Sequence, residues 1–133
     1  MRIVGFSTGV LYKSPMHLRE RIARIRELGC PAIEIGLVNF ESFESGEIDE
    51  LTAEDLRGFT HVSLHAPAFD YGKNSDTADI FQRITRVHQL HRLHGVVVHP
   101  NTVLDFSVFD RCGLPIAFEN MDNRKKSHRR PEE

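Results

Sequence analysis

The sequence predicts an α/β fold built on about five parallel strands. Three observations carry this reading. Short apolar runs bounded by turn residues recur along the chain, as buried strands of a parallel sheet do. Stretches with helical apolar spacing separate them. Strand and helix together repeat at about thirty residues, the size of a unit with a right-handed crossover.

Residues 2–11 read as the first strand. Ser14 followed by Pro15 is a favoured helix opening. Leu18, Ile22, Ile25 and Leu28 then share one helical face, and Gly29 stops the helix. Residues 32–37 form the second strand. The acidic stretch with Glu41, Glu44, Glu47, Asp49 and Glu50 reads as a loop. Thr52 caps a short helix reaching residue 59, and residues 61–65 are the third strand. Pro67, Gly72 and Asn74 mark a loop into a longer helix over residues 76–93. Ile80, Ile84, Val87 and His91 share a face of it, and Gly95 ends it. Residues 96–99 are the fourth strand, 103–111 a short helix with Gly113 beyond it, and 114–119 the fifth strand.

A complete (β/α)8 barrel takes about 250 residues, and this chain has 133. The reading is therefore an incomplete (β/α)8 TIM barrel, with residues 1–133 as the N-terminal part of a single barrel domain. Four helices are expected on the outer face only. Arg130-Pro131-Glu132-Glu133 resembles a helix opening, which sets the break at the start of the fifth helix. A complete five-stranded open α/β sheet is the alternative. In the half-barrel reading the inner face and edge strands stand exposed, and either self-association or a longer gene product would cover them.

Hydrophobic content of 40% and charged content of 27% are ordinary for a soluble globular chain. No apolar run approaches the roughly 20 residues that span a bilayer, so no membrane partner is expected. The N-terminus reads as a strand and not as a secretory signal. Cys30 and Cys112 each lie beside a glycine at a predicted helix end and read as reduced, which fits a cytoplasmic protein. The net charge of −2 is uneven: residues 124–133 carry +3 and the rest of the chain −5. An acidic body disfavours a nucleic-acid partner.

Three predicted strands end on residues that can hold a metal: His65, His99 and Glu119. Pro67 and Pro100 break the chain soon after the two histidines, which places them at the strand mouths. Chemistry in parallel α/β folds sits at these carboxyl ends. A single strand-end histidine is most often a hydrogen-bonded structural residue. Two imidazoles and a carboxylate on consecutive strands make a zinc or manganese site instead, because the carboxylate needs a cation. Glu34 lies within the second strand, facing away from Ile33 and Ile35. It reads equally as a substrate or indirect metal-site contact and as half of a structural ion pair.

The other histidines carry less. His88, His91 and His94 fall on one predicted helix and read as partly exposed surface residues. His17 and His128 show no partner. The basic run Arg124-Lys125-Lys126 with Arg129-Arg130 reads as a solvated loop before it reads as a phosphate grip. Dinucleotide, P-loop and nucleophile-elbow signatures do not occur.

Ser63-Leu64-His65-Ala66-Pro67, Val97-Val98-His99-Pro100 and Phe118-Glu119-Asn120-Met121 resemble the xylose-isomerase-like TIM barrels, which hold sugar isomerases, epimerases and endonuclease IV. The likeness runs from first strand to fifth. It implies a divalent-metal-dependent isomerase or epimerase of a small sugar or sugar phosphate. Glu119 would then be a metal ligand and proton carrier, and Glu34 a substrate contact. Similarity to endonuclease IV implies the rival, a zinc phosphodiesterase on abasic DNA, with His65, His99 and Glu119 as ligands. Its DNA-working aromatic after the third-strand histidine is replaced here by Ala66-Pro67-Ala68. Family ligands from later strands are missing, so the 133 residues alone are expected to bind metal weakly and turn over little.

Overall fold

The computed structural model describes residues 2–37 and 40–120. The basic run and the helix-like opening at residues 130–133 lie outside these described residues, as does Met121. Five strands, β1 (Gly5–Ser7), β2 (Ala32–Gly36), β3 (His61–His65), β4 (Gly95–Val98) and β5 (Ile116–Phe118), form one all-parallel sheet in sequential order. The α-helices are α1 (Leu18–Glu27), α2 (Phe40–Glu44), α3 (Ala53–Leu56) and α4 (Ser75–Leu90).

Strand periodicity separates the two faces. Ile33, Ile35, Val62, Leu64, Val96 and Val98 point one way and are at most 2% exposed. They form one core with Leu18, Ile22 and Ile25 of α1, Phe43 of α2, Leu56 of α3, and Ile80, Ile84 and Val87 of α4. Burial of such side chains contributes about 1.5–3 kcal/mol each. The other face carries Ser7, Glu34, Ser63 and Gly95, small or polar, together with Val97. None of these five joins the core. At β1 and β5, Phe6 and Phe118 sit on the helix-covered face yet remain 44% and 45% exposed.

Several elements start or stop where the sequence alone does not place them. The first strand is three residues long, and a 3-10 turn over Thr8–Leu11 follows it. α1 begins after His17, not at Ser14-Pro15. The Ser14 hydroxyl donates to the Leu11 carbonyl, while the Glu20 carboxylate accepts from the His17 N–H at 2.8 Å. Gly29 does end this helix, at φ 72°. The acidic stretch is not a loop: it holds α2 and a 3-10 turn over Glu47–Glu50, anchored by buried Phe43 and Ile48. Asn74 caps α4 by accepting from the Thr77 N–H at 2.7 Å. That helix stops at Leu90, so Gly95 opens β4 instead of closing the helix. The predicted helix over 103–111 is a 3-10 turn at Phe106–Phe109, begun by the Asp105 side chain. Cys30 and Cys112 are free thiols. No described helix is long and apolar enough to cross a membrane.

Candidate metal centre

Backbone bonds of the sheet continue through the strand-end residues and fix where their side chains start. The His65 carbonyl accepts from the Leu37 N–H at 3.2 Å, and the Ala66 N–H donates to the Val97 carbonyl at 2.9 Å. The Glu119 N–H donates to the Val98 carbonyl at 2.9 Å. Loops beyond β3 and β4 are tied together by Tyr71, whose N–H donates to Thr102 and whose carbonyl accepts from Leu104. Its phenol is buried and donates to the Pro67 carbonyl at 2.7 Å. Burial pushes that phenol well above its usual pKa of 10.0, so it stays a donor at any working pH. Both histidine-bearing loops are therefore held by packing and hydrogen bonds.

His65, His99 and Glu119 converge at this end of the sheet. His99 Nε2 lies 3.0 Å from His65 Nε2 and 2.6 Å from Glu119 Oε2, and His65 Nε2 lies 3.6 Å from Glu119 Oε2. Each side chain is about one-quarter to one-third exposed, at 27%, 26% and 37%.

Proton counting shows why these atoms suit a cation. His65 Nδ1 lies 3.1 Å from the Ala66 carbonyl oxygen, which can only accept. Nδ1 therefore carries the proton in the neutral ring, and Nε2 presents a lone pair to the convergence point. Glu119 Oε2 presents a second lone pair there. That oxygen is closed to solvent and makes no hydrogen bond of acceptable geometry, despite its 2.6 Å approach to His99. A buried, unsatisfied carboxylate oxygen is costly. One divalent ion satisfies it. A triangle with sides 2.6, 3.0 and 3.6 Å has a circumradius of about 1.8 Å, so a point slightly off its plane reaches all three donors at the roughly 2.0–2.2 Å of zinc bonds. These three residues could hold a metal ion.

Glu34 stands in the same cleft, a space of about 250 Å³ lined also by Ser7, Gly36, His65, Ala68 and His99. Among the described residues its carboxylate enters no ion pair or hydrogen bond. Gly36 keeps the cleft open: a Cβ there would meet Ser7 Oγ at 3.1 Å and the Gly9 nitrogen at 3.2 Å.

The other described histidines bond within the fold, and His128 lies outside the described residues. His88 Nδ1 accepts from the Leu93 N–H at 3.1 Å, His91 Nε2 bonds the Phe59 carbonyl at 3.1 Å, and His94 Nδ1 accepts from the Val62 N–H at 3.3 Å. His94 also stacks on His61, ring centres 4.1 Å apart. His91 and His94 lie past the end of α4, so the helical spacing read from sequence does not exist. His17 pairs with Glu47 at 2.9 Å. Sequence reasoning missed the Ala66 carbonyl, because a backbone acceptor leaves no trace in residue type. Compared with protein-family models, with curated proteins and with solved structures, the chain matches none.

Proposed function

We propose that the sheet belongs to a (β/α)8 barrel of the xylose-isomerase-like kind, and that its strand-end cleft serves metal-dependent isomerisation or epimerisation of a small sugar or sugar phosphate. The observation that carries this is that two residues of the three-donor centre, His65 and His99, line the same small cleft as Glu34, a carboxylate without a partner among the described residues. At about 250 Å³ the cleft sits below the roughly 300–1,000 Å³ of drug-sized sites, a scale that suits a short polyol. A divalent ion held by His65, His99 and Glu119 supplies polarisation of a hydroxyl–carbonyl pair. The protein's own groups do the rest. His65 is locked in one tautomer by Ala66, so its ring cannot turn over to a competing hydrogen bond. Glu34 accepts a hydrogen bond from a substrate hydroxyl and orients the chain. The second oxygen of Glu119 would carry a proton between neighbouring carbons.

The two histidines favour one rival. By resemblance, a histidine pair with a glutamate also fits an endonuclease IV-like zinc phosphodiesterase acting on abasic DNA. Two assays separate these readings. Zinc-loaded protein is expected to catalyse solvent deuterium exchange at the carbon beside the carbonyl of a ketose, slowly in this chain alone. Glu34→Gln should remove exchange and keep metal. Metal-dependent nicking of an abasic duplex without any such exchange would transfer the assignment to the phosphodiesterase.

A further inference from the structure

We propose that the chain carries a second ligand site, at the end of the sheet opposite the metal centre, that takes a small organic carboxylate. The proposal does not rest on the proposed activity. It starts from a cavity of about 530 Å³ where the end of α4 meets the turn before β5. His88, Arg92 and His94 line it together with Gly113, Leu114 and Pro115. His94 precedes β4 and Pro115 precedes β5, so the cavity lies at the amino ends of these strands. His65, His99 and Glu119 stand at the carboxyl ends. Small-molecule sites occupy roughly 300–1,000 Å³, a range that includes this cavity.

The polar groups of the cavity are fixed as donors. His88 Nδ1 accepts from the Leu93 N–H at 3.1 Å, and His94 Nδ1 accepts from the Val62 N–H at 3.3 Å. Each neutral ring therefore carries its proton on Nε2 and keeps that N–H as a donor. Stacking on His61 holds the His94 ring as well. Among the described residues neither Nε2 has a hydrogen-bond partner. Arg92 is exposed and enters no ion pair or hydrogen bond among the described residues. Gly113 adds backbone donors. It is left-handed, at φ 70°, and successive N–H groups around such a residue form a concavity that binds anions. Neither its N–H nor that of Leu114 donates to another described residue.

No Asp or Glu lines the cavity to meet these donors. The end of α4 lies here, and its carbonyls attract a cation. That accounts for Arg92 alone and leaves two imidazole and two backbone N–H groups without a protein acceptor. With both rings neutral the lining charge is +1. One carboxylate balances it, whereas a phosphate monoester, at about −1.5 to −2, exceeds it. The planar fork of Arg92 matches a carboxylate through two parallel hydrogen bonds. Buried Leu93, with Leu114 and Pro115, supplies an apolar wall for the rest of the ligand.

Amide NMR on the 133-residue chain without added metal tests this, with benzoate as the probe. Benzoate should give saturable shifts at Gly113 and Leu114, with a Kd of about 1 mM, and none at Ser7 or Gly36 in the metal-centre cleft. Arg92→Gln should weaken binding by at least about tenfold. That side chain is exposed and unbonded among the described residues, so the variant should keep the native melting temperature. Benzyl alcohol, of similar shape without the charge, should give no saturable shift. Inorganic phosphate should bind at least about tenfold more weakly than benzoate. Absence of a saturable benzoate shift at Gly113 and Leu114 would overturn the proposal. So would unchanged affinity in Arg92→Gln, or binding of benzyl alcohol or phosphate as tight as that of benzoate.

Discussion

Polar groups in the helical layer and polar groups at the strand ends are built from the same residue types and end in opposite situations. In the helical layer these residues are held by protein partners, although Arg21 Nε, Arg26 Nε and His91 Nδ1 are buried without a hydrogen bond. His91 bonds the Phe59 carbonyl, His94 the Val62 N–H, and Asp55 takes both the Thr52 backbone and the Arg19 guanidinium. At the strand ends, His65 and Glu119 turn lone pairs toward one point, and Glu34 has no partner among the described residues. The contrast teaches that histidine spacing alone says little. What separates a structural histidine from a candidate ligand is whether other donors converge on its second ring nitrogen: among the described residues they do at His65 and not at His91, whose Nδ1 is buried alone.

Removing one donor from each region should break this comparison most visibly. His99→Ala is expected to lower zinc affinity by more than about a hundredfold, measured by competition with a chromophoric chelator. Stability of the metal-free protein should move by less than about 1 kcal/mol. Zinc should raise the melting temperature of the native protein and not of this variant. His91→Ala should do the reverse. It strands the Phe59 carbonyl and should destabilise by about 1–3 kcal/mol in urea titration, with zinc affinity unchanged.

Acid titration sharpens the contrast among carboxylates. Burial alone would raise the Asp55 pKa, but hydrogen bonds from Thr52 and the Arg19 guanidinium pull it below the usual carboxylate value. The folded-state value is thus lowered relative to the unfolded chain. Its stabilisation is present above the unfolded value near 4 and is lost as pH falls through the folded value. Asp55→Asn should cost about 1–3 kcal/mol at neutral pH and flatten the stability loss below pH about 4, followed by circular dichroism. Glu34→Gln should give the smallest stability change, within about 0.5 kcal/mol, because no group among the described residues pairs with that carboxylate.

Much of this contrast was legible in the sequence. His65, His99 and Glu119 were readable as strand-end residues because an apolar run and a chain breaker bracket them. The parallel order was readable from the alternation. α2 was not: five acids drew the eye, while Phe40 and Phe43, three apart, carried the helical signal. The α1 start was not, since Glu47, which bonds both His17 and the Leu18 N–H, is remote in sequence. The partners of His91 and His94 were not either, because backbone groups of Phe59 and Val62 are supplied by the fold and not by residue type.

The central claim is that His65, His99 and Glu119 form one metal centre. Elemental analysis after equilibrium dialysis against zinc, on the native chain and on His65→Ala, His99→Ala and Glu119→Ala, tests it most directly. One bound ion per native chain is expected, with a large loss in all three variants and circular dichroism unchanged. Absence of bound zinc in the native chain, or retention of the ion by any of the three variants, would contradict it.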